Sequence, residues 1–328
     1  MDILLASTSP RRYEILRNHG VHPLVCPPRV DEDLPADVES SGPEHIVKYL
    51  ARKKALDVYV RVGRYRDAFG PHCDSSKRSG LGEYPSSIST QEYLPPILIA
   101  ADTVVWCDGL IGKPRDEDDA FRMLASYRNR SHEVWSGVTA IDRTTGMEDT
   151  FAVCTRVAMG DYTDEEITSY IRRDKPFDKS GSYAIQSDWG KHVTSVDGGI
   201  ENVMGFPWPD IKEHLIPLVK AAAREILPAR TGEWASLMSL KPKEISVGNA
   251  RKRWGSCKAD GGIRYTWRIM LGDDDLVDYL VVHELAHLRH MNHSGKFWSL
   301  VESYLPDCKE CRKKLRALYT EIENEGWN

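Results

Sequence analysis

The sharpest chemical pattern in this 328-residue sequence is His283-Glu284-Leu285-Ala286-His287. On a helix, a spacing of four puts both imidazoles on one face, where they can share a metal ion. Glu284 then projects beside them, in position to act as general base on a metal-activated water. A zinc of this kind takes three protein ligands and keeps one open position. His293 is the candidate for the third ligand. His290 competes with it but stands only three residues after His287. A helix expected over Asp274–Met291, with Leu276, Leu280, Val281 and Leu288 on its apolar face, would carry His290 along as a supporting or surface residue.

Three further groups carry charge and hydroxyls at turns. Ser7-Thr8-Ser9-Pro10-Arg11-Arg12 follows a short apolar run and opens a helix, where backbone N–H groups and arginines favour an anion. Ala101-Asp102-Thr103 is expected at the tip of a buried strand, followed by Gly112-Lys113-Pro114. A carboxylate there must meet a cation, a metal or donors. Asp178 to Gln186 places Lys179, hydroxyls and the Gln186 amide around a glycine turn. Asp31-Glu32 and Arg52-Lys53-Lys54 add charge of both signs. Each group alone also reads as an ordinary cap, turn or solvated face. Cys308-x-x-Cys311 has no second pair and reads as helical cysteines. Cys257, Trp267, Phe297 and Trp298 read as core.

Elements able to position these groups follow from apolar spacing. Strands are expected at 3–6, 97–101, 133–142 and 150–159, and helices from Pro10, over 43–62, 116–127, 164–173 and 209–227. Residues 64–96 lack any apolar period and read as a surface insertion. Residues 227–240, with Pro228 and Gly232, read as a linker, dividing the chain into units 1–228 and 229–328. The second unit is expected to hold strands near 244–247 and 263–267 and helices at 274–291, 295–304 and 307–324.

Composition bounds the partners. The net charge is −5, from 44 basic and 49 acidic residues. From Arg230 onward it is +2, and before it −7. Neither unit has the basic excess of a general nucleic-acid binder. No run of 18 apolar residues suggests a membrane span. Seven scattered cysteines and an opening without a signal-peptide pattern suggest a reducing, cytoplasmic setting.

In combination, residues 1–225 resemble the Maf family of nucleotide pyrophosphatases. The strings that carry it are LASTSPRR, Val30-Asp31-Glu32, ARKKA at 51–55, AADTVV, IGKP at 111–114, DKSGSYAIQ and NVMGFP at 202–207. The resemblance implies an α/β fold with two lobes and a central cleft, related to the inosine triphosphatase architecture. It implies cleavage of a nucleoside triphosphate to the monophosphate and pyrophosphate, with Asp102 as the acceptor of a proton from water. Arg11, Thr103 and Gln186 fall on the family's selectivity positions and resemble the subgroup acting on dTTP, UTP and modified pyrimidine nucleotides. Such chemistry needs cations around the triphosphate. Ser7, Arg12, Lys53, Lys113 and Lys179 are candidate substrate contacts, and Glu32 and Asp102 candidate magnesium ligands. Family members often dimerise, which makes a homodimer the expected assembly.

The second unit resembles the YgjP-like metallopeptidase-like domains, relatives of the SprT-type zincins, through RWGSC at 253–257, VVHELAHLRHMNHS at 281–294 and Phe297-Trp298. The match covers roughly 240–320 and implies a smaller α+β fold binding zinc through His283, His287 and His293, with Glu284 as general base toward a peptide. Three arrangements stay open on the sequence: a nucleotide pyrophosphatase with an appended zinc domain, a zinc peptidase with an inactive nucleotide-binding regulator, or a structural or interaction protein with neither activity.

Overall fold

The computed structural model describes residues 1–64 and 94–327; the expected insertion therefore lies, from 65 to 93, outside the described residues. The chain opens with β1 (Asp2–Ala6), α1 (Pro10–Asn18), β2 (His22–Val25), α2 (Ala36–Glu39) and α3 (Pro43–Val62). After the gap come β3 (Ile97–Trp106), β4 (Leu110–Ile111), α4 (Glu117–Ser126), β5 (Ser131–Asp142), β6 (Glu148–Met159), α5 (Asp164–Asp174), β7 (Val193–Asp197), α6 (Ile200–Val203) and α7 (Trp208–Leu237). The remainder is β8 (Glu244–Gly248), β9 (Gly255–Cys257), β10 (Gly262–Thr266), α8 (Asp274–Ala286), α9 (Gly295–Tyr304) and α10 (Cys308–Glu325).

The larger sheet runs β2-β1-β3-β5-β6-β7, with β4 on β3. β1 pairs parallel with β2 and β3; the pairs from β3 through β7 are antiparallel. The smaller sheet is β8-β10-β9. The fold is thus mixed α/β, as expected.

Two features position the first site. β3 does not stop at Asp102; it continues four residues further, because β5 pairs with it along its whole length. Its parallel partner β1 does stop, at the Ala6–Ala100 pair, and the chain turns away into α1. A cleft opens where that partner is lost, beside Asp102. The second feature is Gly137, opposite Asp102 in register. A Cβ on Gly137 would come within 2.2 Å of the Val47 carbonyl oxygen, so only glycine lets α3 lie this close to the sheet. Val47, Leu50, Ala51, Lys54 and Val58 recur at helical spacing on the buried side of α3. That face delivers Lys54 to Asp102.

A third feature positions the second site. The expected linker is helical as far as Leu237: α7 runs for 30 residues and includes Pro217 and Pro228. Each proline removes one helical N–H. Burial of Leu215, Leu218, Val219, Ala222, Ile226 and Trp234 along the helix outweighs the loss. These side chains belong to one apolar cluster that also takes in Ile3 and Ile99 of the large sheet and Val281 and Leu285 of α8. Arg230, 1 % exposed, lies 3.0 Å from Asp278 and 3.4 Å from Asp274, and Trp234 Nε1 donates to Asp278 at 3.0 Å. α7 thereby fixes α8, the helix of the histidine motif. Among the described residues, no helix is long and apolar enough to cross a membrane.

Candidate functional site

The cleft beside Asp102 has a volume of ≈ 850 Å³, in the range that encloses a small-molecule ligand. Of the expected residues, Ser7, Arg11, Arg12, Glu32, Asp102, Thr103, Lys113 and Lys179 line it. Lys53 and Gln186 are not among the lining residues. Lys53 points outward and pairs with Asp31 at 2.6 Å, while Gln186 is exposed. Lys54 takes the place expected of Lys53. Its ammonium donates to Asp102 Oδ1 and, at 2.7 Å, to Glu32 Oε1. The signal was present in the sequence, since helical spacing from Val47 and Leu50 puts position 54, not 53, on the apolar face.

Burial would raise the Glu32 carboxyl, but the bond to Lys54 and the charges of Lys54, Lys113 and Arg12 hold it below its ordinary value. Lys113 stands 3.7 Å from Glu32 Oε2. Arg11 and Lys179 both lean on Asp178, at 4.0 and 2.6 Å. These cations are held by carboxylates of the cleft itself.

Arg12 has a different part. Its guanidinium donates to the carbonyls of Ala101 (2.6 Å) and Gly205 (3.0 Å), to Ser7 Oγ (3.3 Å) and to Thr103 Oγ1 (3.2 Å). Most of its N–H groups are thus spent on the walls, and it ties α1, β3 and the 202–207 segment into one frame. Burial lowers the affinity of this guanidinium for its proton. Thr103 is similarly engaged, with Ser136 Oγ at 2.9 Å and the Gly205 carbonyl at 3.3 Å. Gly205, at φ +97°, has Thr103 Oγ1 3.1 Å from where a Cβ would stand. Below the cleft wall, Tyr183 Oη shares a 2.7 Å hydrogen bond with His132 Nε2, and burial lowers that imidazole to about 4.

The second cluster is built by α8 and the turn after it. The helix ends at Ala286 rather than near Met291. Had it continued, His293 would stand about 15 Å along the axis from His283. Instead the chain doubles back, and His293 Nε2 lies 3.1 Å from His283 Nε2. One nitrogen from each of His283, His287 and His293 falls within 4.8 Å of the others. His290 contributes its carbonyl, not its ring: His287 Nδ1 donates to it at 3.1 Å, which leaves His287 Nε2 with its lone pair. Tyr279 Oη lies 3.4 Å from His283 Nδ1.

These donors suit a divalent metal. Burial, then the neighbouring His287 and His293, lowers His283 to about 3, and burial lowers His287 too, which favours the neutral form that ligands need. Glu284 is 4 % exposed, and burial raises it to about 7. Its Oε2 has no hydrogen-bond partner among the described residues. Gly255 backs it, since a Cβ there would approach Glu284 Oε1 to 2.5 Å. Trp267 and Phe297 are buried as expected, whereas Trp298 is half-buried and stacks on His293 at 5.6 Å. Cys257, Cys308 and Cys311 are free.

Comparison with known proteins bears on both clusters. The family model described as Maf-like protein matches residues 2–218, and that described as YgjP-like, metallopeptidase domain, matches 206–318. The second match starts well before residue 240 and takes α7 into it. A dTTP/UTP pyrophosphatase of Carboxydothermus hydrogenoformans is 36% identical over 208 residues, covering 63% of this chain and 93% of that protein. One from Dictyoglomus turgidum is 36% identical over 207 residues, covering 63% and 90%. The solved metallopeptidase zymogen of Pyrococcus abyssi, abylysin, aligns at 18% identity with a TM-score of 0.27, over 28% of this chain and 93% of its own, and carries no argument at that score. With well over half its length inside the first match, the chain belongs to the Maf family, and a YgjP-like metallopeptidase domain follows.

Proposed function

We propose that the cleft hydrolyses nucleoside triphosphates, dTTP and UTP foremost, to the monophosphate and pyrophosphate. The observation that carries this is Asp102, 7 % exposed at the cleft floor and paired with the Lys54 ammonium. In the reaction, water oxygen bonds to the α-phosphorus while the bond to the bridging oxygen breaks. Asp102 accepts the water proton, and pyrophosphate leaves with the electron pair. Arg11, Lys113 and Lys179 exchange their present carboxylate partners for phosphate oxygens. Arg12 and Thr103 keep the frame, and Ser7 offers a hydroxyl to the anion. Lys53 is at most a peripheral contact in this reading. The pyrimidine preference follows the names of the relatives, with Arg11 and Thr103 at the cleft to support it.

Glu32 and Asp102 each spend one oxygen on Lys54. The other oxygen of each suits a hard cation such as Mg²⁺, which would offset triphosphate charge. At the second cluster, His283, His287 and His293 would hold Zn²⁺, whose chemistry is to polarise a carbonyl and lower the pKa of a bound water. Glu284 would take the proton from that water and pass it to the leaving amine of a peptide.

The test is pyrophosphate release by the full chain from a panel of nucleoside triphosphates with Mg²⁺, before and after zinc chelation. Release from dTTP and UTP that survives chelation is expected. No release from any triphosphate would reject the reading and leave the cleft as a binding regulator of the zinc centre.

A further inference from the structure

A second concavity adjoins the histidine cluster and shares no lining residue with the cleft beside Asp102. It encloses ≈ 360 Å³ between Trp254, Tyr279, Leu315 and Tyr319, with Arg312 and Arg316 also lining it. Its walls connect to the cluster along three routes, one direct and two through a neighbouring residue. Tyr279 Oη reaches His283 Nδ1. Trp254 precedes Gly255, which packs on Glu284. The Arg312 guanidinium lies 4.3 Å over the Trp298 ring, which in turn stacks on His293.

The lining is aromatic and cationic at once. Trp254 and Tyr319 meet edge to face at 6.4 Å, and Leu315 adds an aliphatic wall. Both arginines are exposed, and neither forms an ion pair with a carboxylate among the described residues. Their neighbours Lys309 and Lys313 do pair, with Glu302 and Glu310. Two guanidinium groups without a carboxylate partner, over an apolar floor, complement an apolar group that carries a carboxylate. Arg312 is already held by Trp298, so less side-chain freedom is lost when it binds.

We propose that this pocket selects the peptides offered to the histidine centre, taking an aromatic or long apolar side chain with a carboxylate beside it. The carboxylate comes from a following acidic residue or from a free C-terminus. A lysine in that place meets two like charges and is rejected. The inference rests on the metallopeptidase reading for the cleavage step, but not for binding itself.

The test separates the two. The full chain, loaded with zinc and carrying Glu284→Gln to prevent cleavage, is titrated with labelled peptides and followed by fluorescence anisotropy. The peptides present Phe-Asp with an amidated end, Phe with a free C-terminus, Phe-Asn amidated or Phe-Lys amidated; a single-stranded oligonucleotide is the fifth probe. At least one carboxylate peptide should bind about tenfold tighter than Phe-Asn, the scale of one charge-assisted contact, and Phe-Lys weakest. Which of the two gains identifies the source of the carboxylate. Arg316→Ala should erase the gain without changing zinc content or thermal midpoint, and Arg316→Lys should restore part of it. Equal binding of Phe-Asp, free-end Phe, Phe-Asn and Phe-Lys overturns the proposal. So does a preference that survives the Arg312→Ala, Arg316→Ala pair, or binding of the oligonucleotide alone. If the preference holds while the unmutated chain cleaves none of these peptides, the pocket stands and the metallopeptidase reading falls.

Discussion

The cleft beside Asp102 and the histidine cluster solve opposite electrostatic problems. The cleft draws side chains from α1, α3, β3 and several turns, and its cations rest on its own carboxylates: Lys54 on Asp102 and Glu32, Lys179 on Asp178, Lys113 near Glu32. A polyanionic substrate would take over contacts already formed. The cluster comes from one helix and the turn after it, and burial favours the neutral form of His283 and His287. Among the described residues, none of its three rings is paired with a carboxylate. The cleft therefore depends on distant parts of the chain keeping register, and the cluster on one local reversal.

Asp102→Asn should give the largest separation. It leaves the shape intact and removes the proton acceptor, so pyrophosphate release should fall about 10³-fold while zinc content is unchanged. Near-full release from dTTP and UTP would take Asp102 out of its role. His283→Ala works in the opposite direction. It should weaken zinc binding by at least about 100-fold, measured by metal analysis after dialysis, with pyrophosphate release within about twofold of the unmutated chain. A parallel collapse of release would show that the sites are not independent.

Lys54→Met against Lys53→Met sharpens the picture of the cleft. The first removes the partner of a buried carboxylate and should cost about 30-fold in kcat/KM, the equivalent of about 2 kcal/mol; the second should stay within about twofold. Equal losses would refute the helix-face argument. A separate test, of stability rather than of either site, concerns a histidine that binds no metal in either reading. His132 is held near 4 by burial, against an ordinary 6.5. Between those values the unfolded chain takes up a proton that the folded one refuses, so stability falls as pH drops, by about 3 kcal/mol in full. His132→Gln does not titrate, and should shrink the loss of thermal midpoint between pH 7 and pH 5. An unchanged loss would place the acid sensitivity elsewhere.

Much of this was legible in the sequence where the signal is local. The His283–His287 spacing, the helix over Pro43–Val62 and the apolar run into Asp102 all depend on near neighbours. What failed depends on partners far along the chain. Asp102 was expected at a strand tip, yet β5 extends the strand past it. Pro228 and Gly232 suggested a linker, but burial on two sides keeps α7 helical. Lys53 is the exception, since helical spacing from Val47 and Leu50 already put Lys54, not Lys53, on the apolar face of α3. The end of α8 was set too late because Leu288 fits the apolar spacing, while the reversal that brings His293 home has no periodic signature.

α7 spans about 45 Å at helical rise. It begins just after Gly205, whose carbonyl receives Arg12, and near its far end Arg230 grips the helix of the histidine motif. A cut after residue 228 would split this rod and leave a raw oily stripe on each fragment. The two candidate sites are thus expected to share one melting event, seen as a single calorimetric peak, and to be lost together when the beam between them breaks.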